Sequence, residues 1–209
     1  MARTPPPRPV DPGTAPGPSA WALLGTGAGT PPGTPATPPP VVVVTGVSGS
    51  GKSTVSAALA GRLGWGWADG DAFHPAHNIA KMAAHEPLTD ADRLPWLDEI
   101  GHWIDKAAAA AEPAVIACSA LKRSYRDRLR AGRPQVLMVY LVVDLKTLHQ
   151  RLTDRQGHMF HADMLGSQLS ALEPPAPEEG VVMVQSMSTP DKTVDAIIAA
   201  AHLERYLPA

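Results

Sequence analysis

Val41-Val42-Val43-Val44-Thr45-Gly46-Val47-Ser48-Gly49-Ser50-Gly51-Lys52-Ser53 is the stretch on which the fold turns. From Gly46 to Ser53 it fits G-x-x-x-x-G-K-[ST], the pattern of a phosphate-binding loop. The context fits as well: four β-branched valines lead in as a buried strand, and Thr54 to Leu63 leads out with helical spacing before Gly64. Wrapping a triphosphate in backbone N–H groups demands turns and a close approach that a β-carbon would obstruct, which Gly46, Gly49 and Gly51 permit. Lys52 then reaches the β- and γ-phosphates and Ser53 offers its hydroxyl to Mg²⁺. A helix opening at about Ser53 aims its N-terminal dipole and unpaired N–H groups at the anion. The expected nucleotide-binding set is Gly46, Val47, Ser48, Gly49, Ser50, Gly51, Lys52, Ser53 and Thr54.

Working outward, a weak strand at 65–68 ends in Asp69-Gly70-Asp71, and clear apolar strands follow at 114–118, 136–143 and 181–184. Helical patterns lie between them at 90–111, 124–131, 145–155 and 162–172, with a last one at 191–206. Near-continuous apolar strands alternating with helices predict an α/β fold in three layers, a parallel sheet covered on both faces. Ligands of such sheets sit at the carboxyl ends of the strands, so Asp69, Asp71, Ser119 and the loop are expected to face one cleft.

Composition sets the outer limits. Of 209 residues, 44% are apolar, enough for the core of one domain. Many of the 23 prolines crowd into Met1 to Pro40, which reads as a disordered tail before a domain at 41–209. No apolar run approaches 20 residues, so no membrane span is expected. A net charge of −2 argues against a general nucleic-acid binder. Cys118 is the single cysteine, read as a small buried residue and suited to a reducing, cytoplasmic setting.

Asp69 and Asp71, two apart in extended chain, would lie on the same side and face the bound phosphate. Asp69 is expected to support Mg²⁺ and Asp71 to orient or deprotonate an acceptor hydroxyl, although an Asp-Gly turn is the plainer alternative. The polar run of His74, His77, Asn78, Lys81, Asp90, Asp92 and Arg93 matches no metal-ligand spacing. It reads as hydrogen-bond partners for a polyhydroxylated ligand, with Lys81 or Arg93 available for a carboxylate. Lys122 and Arg126 are expected at the same mouth. Arg151 and Arg155, four apart on one helix face and followed by Gly157 and His158, read as a lid that closes on the phosphates and excludes water.

Together these residues resemble the gluconate kinases, small P-loop enzymes of the shikimate-kinase type, over about 41–200. The resemblance rests on the loop at 46–53, Asp69-Gly70-Asp71 with His74 and Asn78, Lys81-Met82 and Glu86-Pro87-Leu88. It continues through Asp90, Asp92-Arg93, Pro95-Trp96-Leu97, Cys118 to Lys122, Tyr125-Arg126-Asp127 and Gly157-His158. It implies a central five-stranded parallel sheet with a helical lid, a homodimer, and ATP- and Mg²⁺-dependent phosphorylation of D-gluconate at its 6-hydroxyl. The site it implies has Lys52, Asp71, Arg151 and Arg155 in catalysis. Asp71, His74, Asn78, Lys81, Arg93, Lys122, Arg126 and His158 hold the substrate, and Ser53 and Asp69 the metal. Three positions depart from the family pattern: His85 where glycine is expected, Met159 in place of Phe, and Gln185-Ser186 where an acidic residue is common. A kinase for another small hydroxy acid such as shikimate, or a nucleotide-gated protein docking a partner through its Pro-rich leader, remain the alternatives.

Overall fold

The four valines of β1 (Val41–Thr45) are all 0% exposed, yet they serve two different cores. Side chains alternate across a strand. Val41 and Val43 therefore pack with Trp96, Leu97, Ile100, Ile104, Tyr125 and Leu129, while Val42 and Val44 pack with Val55, Leu59, Leu63, Val194 and Ile197. No side chain of the strand is left for water, which is why it reads as an unbroken apolar run. Burial contributes about 1.5–3 kcal/mol per valine.

The computed structural model describes residues 38–153 and 165–208. Five strands form one all-parallel sheet: β1, β2 (Gly66–Asp69), β3 (Ala114–Ala117), β4 (Val136–Val142) and β5 (Val182–Gln185), in the order β2-β3-β1-β4-β5. The helices are α1 (Lys52–Leu63), α2 (Ala76–Ala83), α3 (Asp90–Ala109), α4 (Arg123–Arg130), α5 (Leu145–Thr153), α6 (Leu165–Ala171) and α7 (Pro190–Ala200). α1 and α7 cover one face, and α3 and α4 the other, giving the expected three layers. The leader lies outside the described residues apart from Pro38 to Pro40, as do Asp154 to Met164, which hold most of the expected lid. Among the described residues no helix is long and apolar enough to cross a membrane.

Most element ends fall within a few residues of the sequence reading, and three differences bear on the site or the core. α1 opens at Lys52, because Gly51 takes the left-handed conformation (φ 95°) as its cap. The last helix stops at Ala200 instead of running to Tyr206: His202 turns left-handed (φ 53°) and Leu203 N–H closes on the Ile198 carbonyl at 2.9 Å. α2 was not marked out as an element. Its polar residues read first as partners for a ligand, although Asn78 and Met82, one turn apart, are its buried stripe.

α2 ends in a Schellman turn. Glu86 N–H bonds the Lys81 carbonyl at 2.8 Å, His85 N–H bonds that of Met82 at 3.1 Å, and His85 itself sits at φ 60°. The position where the family pattern carries glycine is thus one where an L side chain is strained.

Candidate active site

The phosphate loop leaves β1 through Gly46 (φ 141°), where a β-carbon would stand 3.0 Å from Ser50 Oγ and 3.2 Å from the Leu141 carbonyl. Gly49 (φ 81°) and Gly51 (φ 95°) complete the turn. No side chain caps α1 and no acidic residue lies in its first turn, so nothing in the helix itself opposes an anion at its N-terminus. Lys52 Nζ donates to the Val47 carbonyl at 3.1 Å, which sets the ammonium at the loop. Ser48 N–H donates to Gln168 Oε1 at 2.7 Å; this buried glutamine of α6 was not foreseen, and its isolation in sequence, 120 residues away, carries no signal.

Sheet register brings the acidic pair to the same end. Asp69 aligns with Ala117 and Ala117 with Val44, the residue before Thr45. Thr45 Oγ1 and Gly46 N–H both donate to the Ser119 carbonyl, joining the ends of β1 and β3. Buried Cys118 senses the cluster: burial first pushes its thiol up to about 12, Asp71 and Asp69 add to the rise, and Lys52 opposes it. Lys52, Asp69 and Asp71 thus lie within electrostatic reach of one point.

Only the first of the acidic pair sits in extended chain, Asp69 being the last residue of β2, while Asp71 lies in the turn that follows. Asp69 caps a 3-10 turn, Gly70–Phe73, with Oδ1 accepting from Asp71 N–H at 3.1 Å, so that Asp71 is exposed on the turn while Asp69 stays half-buried. Gly70 is needed for room. A β-carbon there would lie 2.4 Å from the Ala117 carbonyl oxygen, and Trp96 Nε1 donates to the Gly70 carbonyl at 2.7 Å.

On the acceptor side, α3 starts with a capping box between Thr89 and Asp92. Two expected substrate cations are committed to this helix start. Lys81 Nζ donates to both oxygens of Asp92 at 2.9 and 2.8 Å, and Lys122 Nζ to both oxygens of Asp90 at 2.7 and 2.8 Å. These bonds, from Lys81 and then Thr89, hold Asp92 far below the usual carboxylate range; Lys122 and then Tyr125 lower Asp90. Arg93 differs: its Nε donates to the Leu88 carbonyl at 3.3 Å, and its terminal nitrogens have no partner among the described residues. Its charge is felt at His74, whose pKa is lowered to about 4 by burial first and Arg93 second. His74 is therefore neutral at pH 7.

Arg126 does not reach the mouth. It is 0% exposed, with Nε and Nη2 on the two oxygens of Glu179 at 2.7 and 2.8 Å and Nη1 on the carbonyls of Ala120, Leu121 and Glu173. It ties the segment after α6 to α4, a structural role that the basic run at 122–126 disguised. Arg155 and His158 lie outside the described residues.

Arg151 points somewhere more specific than a lid surface. From α5 its Nη1 reaches the Gly49 and Ser50 carbonyls at 3.5 and 3.3 Å and Ser186 Oγ at 3.1 Å, while Nη2 reaches the Met187 carbonyl at 3.4 Å. It thereby links the phosphate loop to the turn between β5 and α7. Beside it opens a pocket of about 230 Å³, lined by Gly51, Thr54, Ser186, Met187, Thr189 and Pro190 among others.

Residues 41–175 match a family model described as an AAA domain. The gluconokinase of Gluconobacter oxydans (strain 621H) is 44% identical over 160 residues, 77% of this chain and 90% of that protein. Among solved structures, a sugar kinase from Janibacter sp. HTCC2649 superposes with a TM-score of 0.76 at 38% identity, over 82% of this chain and all of that one. A gluconokinase from Sinorhizobium meliloti 1021 gives 0.70 at 43% identity, over 80% and 94% of the two chains. With a glycine loop, an acidic pair and a polar acceptor wall at one end of a parallel sheet, and with relatives this similar over most of their length, the chain belongs to the gluconokinase family.

Proposed function

We propose that this protein transfers the γ-phosphoryl group of ATP to the 6-hydroxyl of D-gluconate. The observation that carries the reading is the convergence of the phosphate loop, Asp69 and Asp71 at one end of the sheet, with the uncommitted Arg93 beside neutral His74. The triphosphate lies in the loop from Gly46 to Thr54, and the base lies in the pocket between Arg151 and Pro190. Lys52 stabilises charge on the transferred group, and Asp71 orients the acceptor hydroxyl and takes its proton. Because phosphoryl transfer passes through a loose transition state, alignment and electrostatics supply most of the acceleration.

The donor set suits Mg²⁺. Ser53 and the Asp69 oxygen not used for capping are hard oxygens, and among the described residues no group of three His, Cys, Asp or Glu converges on a metal. Ser53 and Asp69 would hold the ion together with phosphate oxygens and water. It would neutralise charge on the phosphates.

Arg93 takes the gluconate carboxylate, since Lys81 and Lys122 already face carboxylates of this chain. His74 serves the hydroxyls; Asn78, expected beside it, is 0% exposed with its amide nitrogen on His74 and the Asp92 carbonyl, and so stands behind the ring and not in the site. Arg155 and His158 are assigned to the same site from the sequence. Family membership disfavours the shikimate-type and adaptor readings. The protein works as a cytoplasmic homodimer, a state that light scattering checks directly. The decisive experiment is mass and NMR analysis of the product after incubation with ATP, Mg²⁺ and gluconate, beside shikimate and AMP. One phosphate on the 6-oxygen of gluconate is expected; turnover of shikimate or AMP alone would overturn the reading.

A further inference from the structure

Asn78 is 0% exposed, and its Nδ2 lies 2.9 Å from the Asp92 carbonyl oxygen and 3.2 Å from His74 Nδ1. A carbonyl only accepts, so the amide atom facing Asp92 is the nitrogen. That nitrogen carries its second N–H toward His74 and has no lone pair to offer, so His74 Nδ1 is the bare, accepting atom. A neutral imidazole with Nδ1 bare has its proton on Nε2. Turning the amide over would set oxygen against oxygen at Asp92, and protonating Nδ1 would set donor against donor. Asn78 Oδ1 is buried with no partner, so one acceptor goes unsatisfied while both donations are kept.

The ring is fixed in plane as well as in tautomer. It stacks on Trp96 with centroids 4.4 Å apart at 13°, and Trp96 is itself tethered to the Gly70 carbonyl. His74 Nε2 has no partner among the described residues. The charges around the ring are Arg93 and the Lys81-paired Asp92 on α3, His77 on α2 at 3.9 Å from Asp92, and Asp71 on the turn from which His74 departs.

We infer that Asn78 is a positioning residue: its amide holds His74 as the neutral ring with the proton on Nε2, so that His74 meets gluconate as a hydrogen-bond donor and not as a base. This rests on the proposal that His74 lines the gluconate site, and it leaves proton removal to Asp71.

The test is a two-bond ¹H–¹⁵N correlation spectrum of the ¹⁵N-labelled full chain, with His74 assigned by its loss in His74→Gln. One protonated nitrogen, Nε2, is expected at every pH between about 5 and 8. A proton on Nδ1, or a ring titrating in that range, overturns the inference. Asn78→Asp replaces the donor with an acceptor that favours Nδ1–H. It should raise the KM for gluconate about tenfold and bring a new pH dependence into that KM, with kcat and the KM for ATP little changed. A folded variant with the wild-type KM and pH profile refutes the positioning role. Should Asn78→Asp fail to fold, His74→Gln, which keeps a donor, is expected to retain gluconate binding that His74→Phe loses; equal loss in both overturns the donor role. The spectrum needs no turnover, so a protein with the Nε2–H ring but no activity on gluconate would break the proposed function and leave the tautomer standing.

Discussion

The two halves of the site are built from different materials. The nucleotide half is backbone: three glycines at positive φ, a helix start without a side-chain cap, and a carbonyl-lined link through Arg151. The acceptor half is side chain: a capping box, two lysine-carboxylate pairs and a histidine held by an amide and an indole. Backbone geometry needs particular residues at particular spacings and so leaves a contiguous trace. Side-chain networks join residues far apart, and the same lysine can serve a ligand or a helix start without any change in the sequence around it.

The contrast breaks most readily at Lys52. Lys52→Ala should lower kcat on the order of 10²–10³-fold, with the KM for gluconate nearly unchanged, because its proposed role is on the nucleotide's phosphates and not on gluconate; steady-state kinetics with each substrate varied would check this. Next, Arg93→Met should raise the gluconate KM about 10- to 100-fold, the value of a charge-assisted bond. Lys81→Met should move it far less, since that ammonium faces Asp92; a reversed order would return Lys81 to the substrate. Gly70→Ala, forcing a β-carbon to within 2.4 Å of the Ala117 carbonyl, should cost about 1–3 kcal/mol in denaturant unfolding.

Acid should loosen the tie between α4 and the segment after α6 through Glu179. Its pKa is lowered from 4.5 to about 2, first by hydrogen bonding to buried Arg126. A depressed folded-state pKa means that its contribution is present above about pH 4.5 and is lost as the pH falls toward about 2. Stability measured across that window should slope in the wild type and slope less in Glu179→Gln, the remainder coming from other lowered carboxylates such as Asp90 and Asp92. The smallest effect should be a gain: His85→Gly relieves a left-handed side chain and should add about 1 kcal/mol, seen as a higher Tm.

Much of this was legible before the structure. Four valines, a glycine loop and alternating apolar runs sufficed for the three layers and for the end of the sheet where the site lies. What stayed hidden had physical reasons. α2 was obscured because its exposed face and the acceptor wall draw on the same polar residues, and its buried stripe is only Asn78 and Met82. Asp69 was read first as a ligand, with a turn as the alternative, because capping needs one oxygen of a carboxylate and leaves no mark in spacing. Arg126 looked exposed because its partner, Glu179, is 53 residues away. His85 is the reverse case: its departure from glycine was visible in sequence, and its left-handed φ supplies the reason the departure matters.

The valines of β1 have one more consequence. A strand flanked by a solvent face resists slipping, because a one-residue shift would drag apolar side chains into water. β1 lacks that safeguard, since sliding it by one place would exchange valine for valine between two equally dry interiors. Its alignment must instead be read at the polar end, where Thr45 and Gly46 clasp the Ser119 carbonyl. The small hydroxyl next to the glycine turn thus acts as the index mark that sets how far the phosphate cradle projects from the sheet.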